Sequence, residues 1–183
     1  MRQDLVERAR QGDREAFGEL AAGEVDRLNA IARLVLRDPD LAEDAVQEAL
    51  VRCWRQLPKL RDVDRFDAWM YRILMHAAQD EISRRRRFQV VVQSATSQPT
   101  TVADRSHEIA DRDQLEQGFR HLSVDHRAVV VLHHYVGLPM PEVADALSIP
   151  TGTAKSRYHH AMAALRAALD AQARLDETSE VSA

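Results

Sequence analysis

Residues 149–169 read "IPTGTAKSRYHHAMAALRAAL", an alanine- and leucine-rich helical stretch that carries Lys155, Arg157 and Arg166 and no acid between Thr151 and Ala168. A face that needed only solvation would mix both signs, so a polyanion is the first ligand to consider. Helical phase sharpens this. Ala154, Tyr158, Ala161, Met162, Leu165 and Leu169 fall on one side, which leaves Gly152, Lys155, Ser156, His159, His160 and Ala163 on the other. Lys155 can donate to guanine or phosphate, Ser156 to either, and the imidazoles to acceptors on base edges or phosphates. Thr151 or Thr153 can cap the helix, and Gly152 lets a phosphate approach its positive end. Arg157 lies at the seam, where it can reach phosphate or pair with Glu142.

A second set of candidate phosphate contacts lies upstream: Arg61, Arg72, and the run Arg84, Arg85, Arg86 and Arg87. Its neighbours Phe66 and Trp69 have the i, i+3 spacing more common in a core, with Trp69 supporting the loop before it. A third set is a mixed-charge stripe of Asp44, Gln47, Glu48, Arg52 and Arg55 on a helix whose Val46, Leu50, Cys53 and Trp54 face inward, suited to a protein partner. No catalytic spacing of His, Asp or Glu is evident. The doublets His133–His134 and His159–His160 point about 100° apart on a helix and make no chelate, so no metal and no cofactor is expected.

The elements that position these residues should all be helices. The 183-residue chain has only six Gly and six Pro, and few stretches show a strand's alternation. Amphipathic helices are expected from Asp4 to Arg87, with "RDPD" at 37–40 as a stop and restart and the polar loop "PKLRDVDRF" before a long basic-ended helix. From 88 to 112 the pattern dissolves into a Ser-, Thr- and Gln-rich linker; its core of 23 residues spans at most about 75 to 80 Å. Helical spacing returns over 113–170, and 171–183 read as a frayed acidic tail. Within the second unit, "PMPEVADAL", "SIP" and "TGTAKSRYHHAMAAL" make a helix-turn-helix, with Ala144 at the crossing and Leu147 and Ile149 filling the angle.

Net charge is −4, but residues 1–48 carry a balance of −5 and residues 49–87 a balance of +5, so different surfaces attract different partners. The start has no apolar signal region and no run is long enough to span a membrane, so a cytoplasmic protein without membrane insertion is expected. The single cysteine, Cys53, reads as a core residue.

The stretches "GDREAF", "LAEDAVQEALVRCW", "FDAWMYRILMHAAQDEISRRRR" and "GLPMPEVADALSIPTGTAKSRYHHA", in that order and spacing, together resemble the extracytoplasmic-function (ECF) sigma factors of the sigma-70 family. The resemblance implies an all-α chain, with sigma region 2 over 1–87 and the region 4 helix-turn-helix over 113–170. It implies a non-catalytic subunit that binds core RNA polymerase, recognises the minus-10 and minus-35 promoter elements and helps open the duplex. The Asp44-to-Arg55 stripe would dock on the clamp of the largest polymerase subunit. The loop before Phe66 would hold an unstacked minus-10 base, with Phe66 and Trp69 at the family's aromatic positions among the minus-10 contacts and His76 and the following basic residues along the displaced strand. Promoter DNA and core polymerase are the implied partners, and an anti-sigma factor acting in trans is a further candidate. Departures from the pattern are His76 in place of a frequent Asn, Ser148 in place of the turn Gly, Pro139 in place of a Ser cap, and the acids Asp62, Asp64 and Asp67 in the loop. Two rival readings are a conventional helix-turn-helix repressor with an N-terminal dimerisation or sensing domain, and an adaptor that binds protein only.

Overall fold

The computed structural model describes residues 2–95 and 118–181, with side chains of 91–95 and 172–181 left aside. Most of the expected linker, 96–112, therefore lies outside the described residues, as do the last two residues of the tail. Among the described residues every regular element is helical. Helices α1 (Arg2–Arg10), α2 (Arg14–Leu36), α3 (Pro39–Gln56) and α4 (Phe66–Ala95) form the first unit. The second contains α5 (Val124–Val130), a π-helical turn at Val131–Tyr135, α6 (Met140–Leu147) and α7 (Thr151–Val181).

The boundaries follow from local chemistry. Asp13 caps α2 by accepting from the backbone N–H groups of Glu15 and Ala16. At "RDPD", Arg37 closes α2 in a left-handed conformation, φ 56°, and Asp38 accepts from Leu41 N to open α3 behind Pro39, which has no N–H to waste. Asp62 caps the short 3-10 turn Val63–Arg65 that leads into α4. Helix α4 then runs eight residues beyond Arg87, to Ala95, where the sequence pattern suggested a linker from 88. Nothing between Phe88 and Ala95 breaks a helix, and Phe88 and Val90 are simply exposed on it. The C-terminal residues likewise continue α7 to Val181 rather than fraying at 171.

Leu28, Ile31, Val35, Val46, Tyr71, Leu74 and Met75 fill the centre of the first unit. Cys53 belongs with them. It is 1% exposed, and burial pushes its thiol up to about 12. The thiolate is the reactive form, so native protein at pH 8 should resist iodoacetamide for hours and label at once in guanidinium chloride. Rapid labelling without denaturant, followed by mass spectrometry, would contradict the packing.

The two units, whose mutual placement the sequence leaves open, pack against each other. Ala128, Val129, Val131, Leu132, Val143, Ala146 and Leu147 of the second unit share one apolar cluster with the first. Helix α6 lies on α4, and α5 with the π turn lies on α2. At that seam Arg127, 8% exposed, donates to Val35 O at the C-terminal end of α2 (2.7 Å) and to Leu122 O of its own unit (2.9 Å). A guanidinium suits this place because it meets the negative end of a helix dipole and can donate in several directions at once.

Candidate nucleic-acid and polymerase interfaces

Helix α7 presents the face its sequence phase required. Ala154, Ala161 and Leu165 are buried and Tyr158 and Met162 half-buried, while Gly152, Lys155, Ser156, His159, His160 and Ala163 are exposed. The helix starts at Thr151, so Thr151 and Thr153 lie inside its first turn rather than before it. Arg157 does not pair with Glu142. Its guanidinium meets Asp125 of α5 at 2.8 Å, a contact that draws it from the solvent face and braces α7 against α5. Both histidines of the 133–134 doublet have partners within the protein: His133 Nδ1 lies 2.8 Å from Leu138 O, and His134 Nε2 lies 2.8 Å from the Tyr158 hydroxyl.

The bracing helix α6 begins after Pro139, which offers no side-chain cap, and ends at Ser148 with φ 54° and ψ 42°. Left-handed backbone at a helix end is glycine's usual place. Here a serine takes it, with its N–H reaching Asp145 O and the next N–H, of Ile149, reaching Ala144 O.

In the first unit the loop and the start of α4 enclose a cavity of about 360 Å³. Lys59, Arg61, Arg65 and Arg72 supply its positive charge and Trp69 its aromatic wall, Asp62 also lines it, and Glu142, Asp145 and Ala146 of α6 close its far side. Phe66 is 4% exposed and packs against Trp69 with ring centroids 5.8 Å apart, so its ring supports the loop from beneath. Asp62 spends a carboxylate oxygen on Asp64 N, Asp64 accepts from Gln3 Nε2, and Asp67 meets Arg2 at 2.6 Å. The loop acids are thus engaged with the protein itself. Lys59 and Arg65 were not singled out in the sequence, although both lie in its net-positive segment beside the loop.

His76, further along α4, sits half-buried with Nε2 2.9 Å from Ser148 Oγ. Burial, helped by the Arg72 cation, holds its pKa below the ordinary value. Of the four consecutive arginines, Arg84 pairs with Glu81, Arg85 pairs with Asp38, and Arg87 donates to Ser83 O; Arg86 is exposed. On α3, Asp44, Gln47 and Arg55 are exposed. Glu48 and Arg52 are half-buried, and Arg52 bridges Glu48 and Asp80 at 2.7 Å each, which ties the stripe to α4.

A cavity to which the first unit brings four cations and a tryptophan, and an exposed helix-turn-helix face that carries Lys155, agree with two matches along the chain. Residues 21–88 match the family model Sigma-70 region 2, and residues 112–165 match Sigma-70, region 4. The ECF RNA polymerase sigma factor SigL of Mycobacterium tuberculosis is 36% identical over 137 residues, 72% of this chain and 76% of the relative. The chain belongs to the ECF sigma factors of the sigma-70 family. As a sigma factor, and not a conventional repressor, it directs RNA polymerase to promoters. The RNA polymerase sigma-E factor of Streptomyces coelicolor is 31% identical, covering 85% of this chain and 87% of its own. Among solved structures, CnrH in complex with the cytosolic domain of CnrY is 28% identical with a TM-score of 0.65, covering 92% of this sigma factor and 97% of that chain. The sigma factor RpoE of Bartonella quintana, in a co-crystal with the anti-sigma factor NepR, is 22% identical with a TM-score of 0.68 over 84% of this chain and 96% of that one, a likeness of fold. No helix among the described residues is long and apolar enough to cross a membrane.

Proposed function

We propose that this sigma factor divides promoter recognition between its two units and performs no catalysis of its own. The α7 face, with Gly152, Thr153, Lys155, Ser156, His159 and His160, reads the minus-35 element from the major groove, while Arg157 steadies the helix through Asp125. The cavity at residues 60–66 receives an unstacked minus-10 base. Arg61 and Arg72, joined by Lys59 and Arg65, neutralise the flanking phosphates, and Trp69 gives the pocket a stacking wall. His76 and Arg84 to Arg87 follow the displaced strand. The stripe Asp44, Gln47, Glu48, Arg52 and Arg55 docks core polymerase at its clamp, and an anti-sigma factor is a second protein partner, as it is for the Bartonella relative.

The observation that supports this reading is the set of Lys59, Arg61, Arg65, Arg72 and Trp69, all contributed by the first unit, around one side of the 360 Å³ cavity, away from the exposed face of α7. Replacing residues 60–66 by the loop of another ECF sigma factor should move minus-10 preference in run-off transcription and leave minus-35 preference unchanged. A swap that moved only minus-35 preference would overturn the division of labour.

A further inference from the structure

Bridging two promoter elements about 25 base pairs apart means spanning roughly 85 Å of duplex, at 3.4 Å per step. The described chain is closed: α6 lies on α4, and its Glu142 and Asp145 occupy the side of the loop cavity that faces Lys59, Arg61, Arg65 and Arg72. Those carboxylates stand where an incoming nucleic acid would place its own negative charge. The closed chain therefore cannot engage both elements, and something must set how readily it opens.

Two of the positions noted above as departures from the family pattern touch each other across this seam. His76 Nε2 and Ser148 Oγ are 2.9 Å apart although 72 residues separate them in sequence. Ser148 holds a left-handed backbone, φ 54°, that glycine would adopt without strain. Glycine, however, has no hydroxyl. We propose that His76 and Ser148 form an interdomain latch that holds the helix-turn-helix unit closed over the loop cavity, and that the strained serine is tolerated because its hydroxyl completes that latch. The hydroxyl donates to a neutral imidazole or accepts from it according to tautomer. Arg127, donating to Val35 O, pins the other end of the same interface, and the shared apolar cluster lies with them. The inference rests on the two-unit reading of promoter recognition for its consequence, but the latch itself is tested without DNA or polymerase.

The test uses the full-length chain with spin labels at Arg14→Cys and Arg166→Cys, both exposed and in different units, with Cys53 buried and unlabelled. Distance distributions should show a dominant short-distance population. Ser148→Ala and Ser148→Gly should each raise the ratio of open to closed molecules about two- to tenfold, the weight of one hydrogen bond. The pair of substitutions separates latch from strain, because alanine removes the hydroxyl without relieving the backbone and glycine does both. Adding His76→Ala to Ser148→Ala should produce no further opening, since the two side chains act as one contact. Circular dichroism checks that each variant is folded. A change with glycine alone, or independent additive effects of His76 and Ser148, would overturn the latch. A wild-type distribution with no short-distance population would overturn the closed state on which it depends. Failure of the loop swap with the latch intact would instead count against the minus-10 assignment alone.

Discussion

Replacing Lys155 by alanine should reduce minus-35-dependent transcription by roughly five- to 150-fold, the 1 to 3 kcal/mol carried by a good bidentate base contact, without loss of helicity. Lys155 is exposed on the first turns of α7 and supports no core contact, so its truncation removes recognition and little else. His160→Ala, one turn further along, should act in the same direction. Competition between matched and mismatched minus-35 duplexes provides the readout. A lysine contacting only phosphate would lower binding to every sequence uniformly and reduce its salt dependence, which distinguishes the two roles. Should Ala163→Ser, still further along the face, prove more harmful than both, the proposed docking of α7 is wrong.

Reversing charge at Asp44 and Glu48 to arginine should weaken association with core polymerase at least about tenfold, since like charges set against a complementary surface cost several kcal/mol. The structure adds a control. Glu48 holds Arg52, which also holds Asp80, so the Glu48 change disturbs an internal bridge while Asp44→Arg alters only an exposed side chain. Asp44→Arg alone should therefore reproduce much of the loss with unchanged thermal stability. Co-purification with core at the wild-type level, by either variant, would remove the stripe from the interface.

Much of this architecture is written locally. "RDPD" specifies a left-handed stop at Arg37, a cap at Asp38 and a start at Pro39 because each residue acts within four positions of itself. The face of α7 is equally local: alanine and leucine at helical spacing point inward, and Lys155, Ser156, His159 and His160 are left to solvent. Contacts between distant segments are a different matter. Arg157 meets Asp125 rather than Glu142 because α5 packs beside α7, which no spacing within the helix-turn-helix reveals. Val129, Leu132 and Val143 of the second unit join a cluster that extends into the first. A short amphipathic helix has one apolar stripe, and the sequence does not say which neighbour covers it. The extension of α4 to Ala95 was hidden by β-branched and polar residues that favour a linker in isolation but are carried on a long preceding helix. His76 and Ser148 each stood out as a departure, and only the fold shows that they are partners.

Two separate sites on this sigma factor should together give core polymerase its promoter address. Run-off transcription by core polymerase on a randomised promoter library, with and without the chain, followed by sequencing of the transcribed templates, tests it most directly. Transcripts should arise only when the chain is present, from templates enriched in two sequence blocks at a fixed spacing of about 25 base pairs, roughly 85 Å. Templates enriched in a single block, or tight binding of the free chain to a duplex palindrome with no chain-dependent transcript, would contradict it.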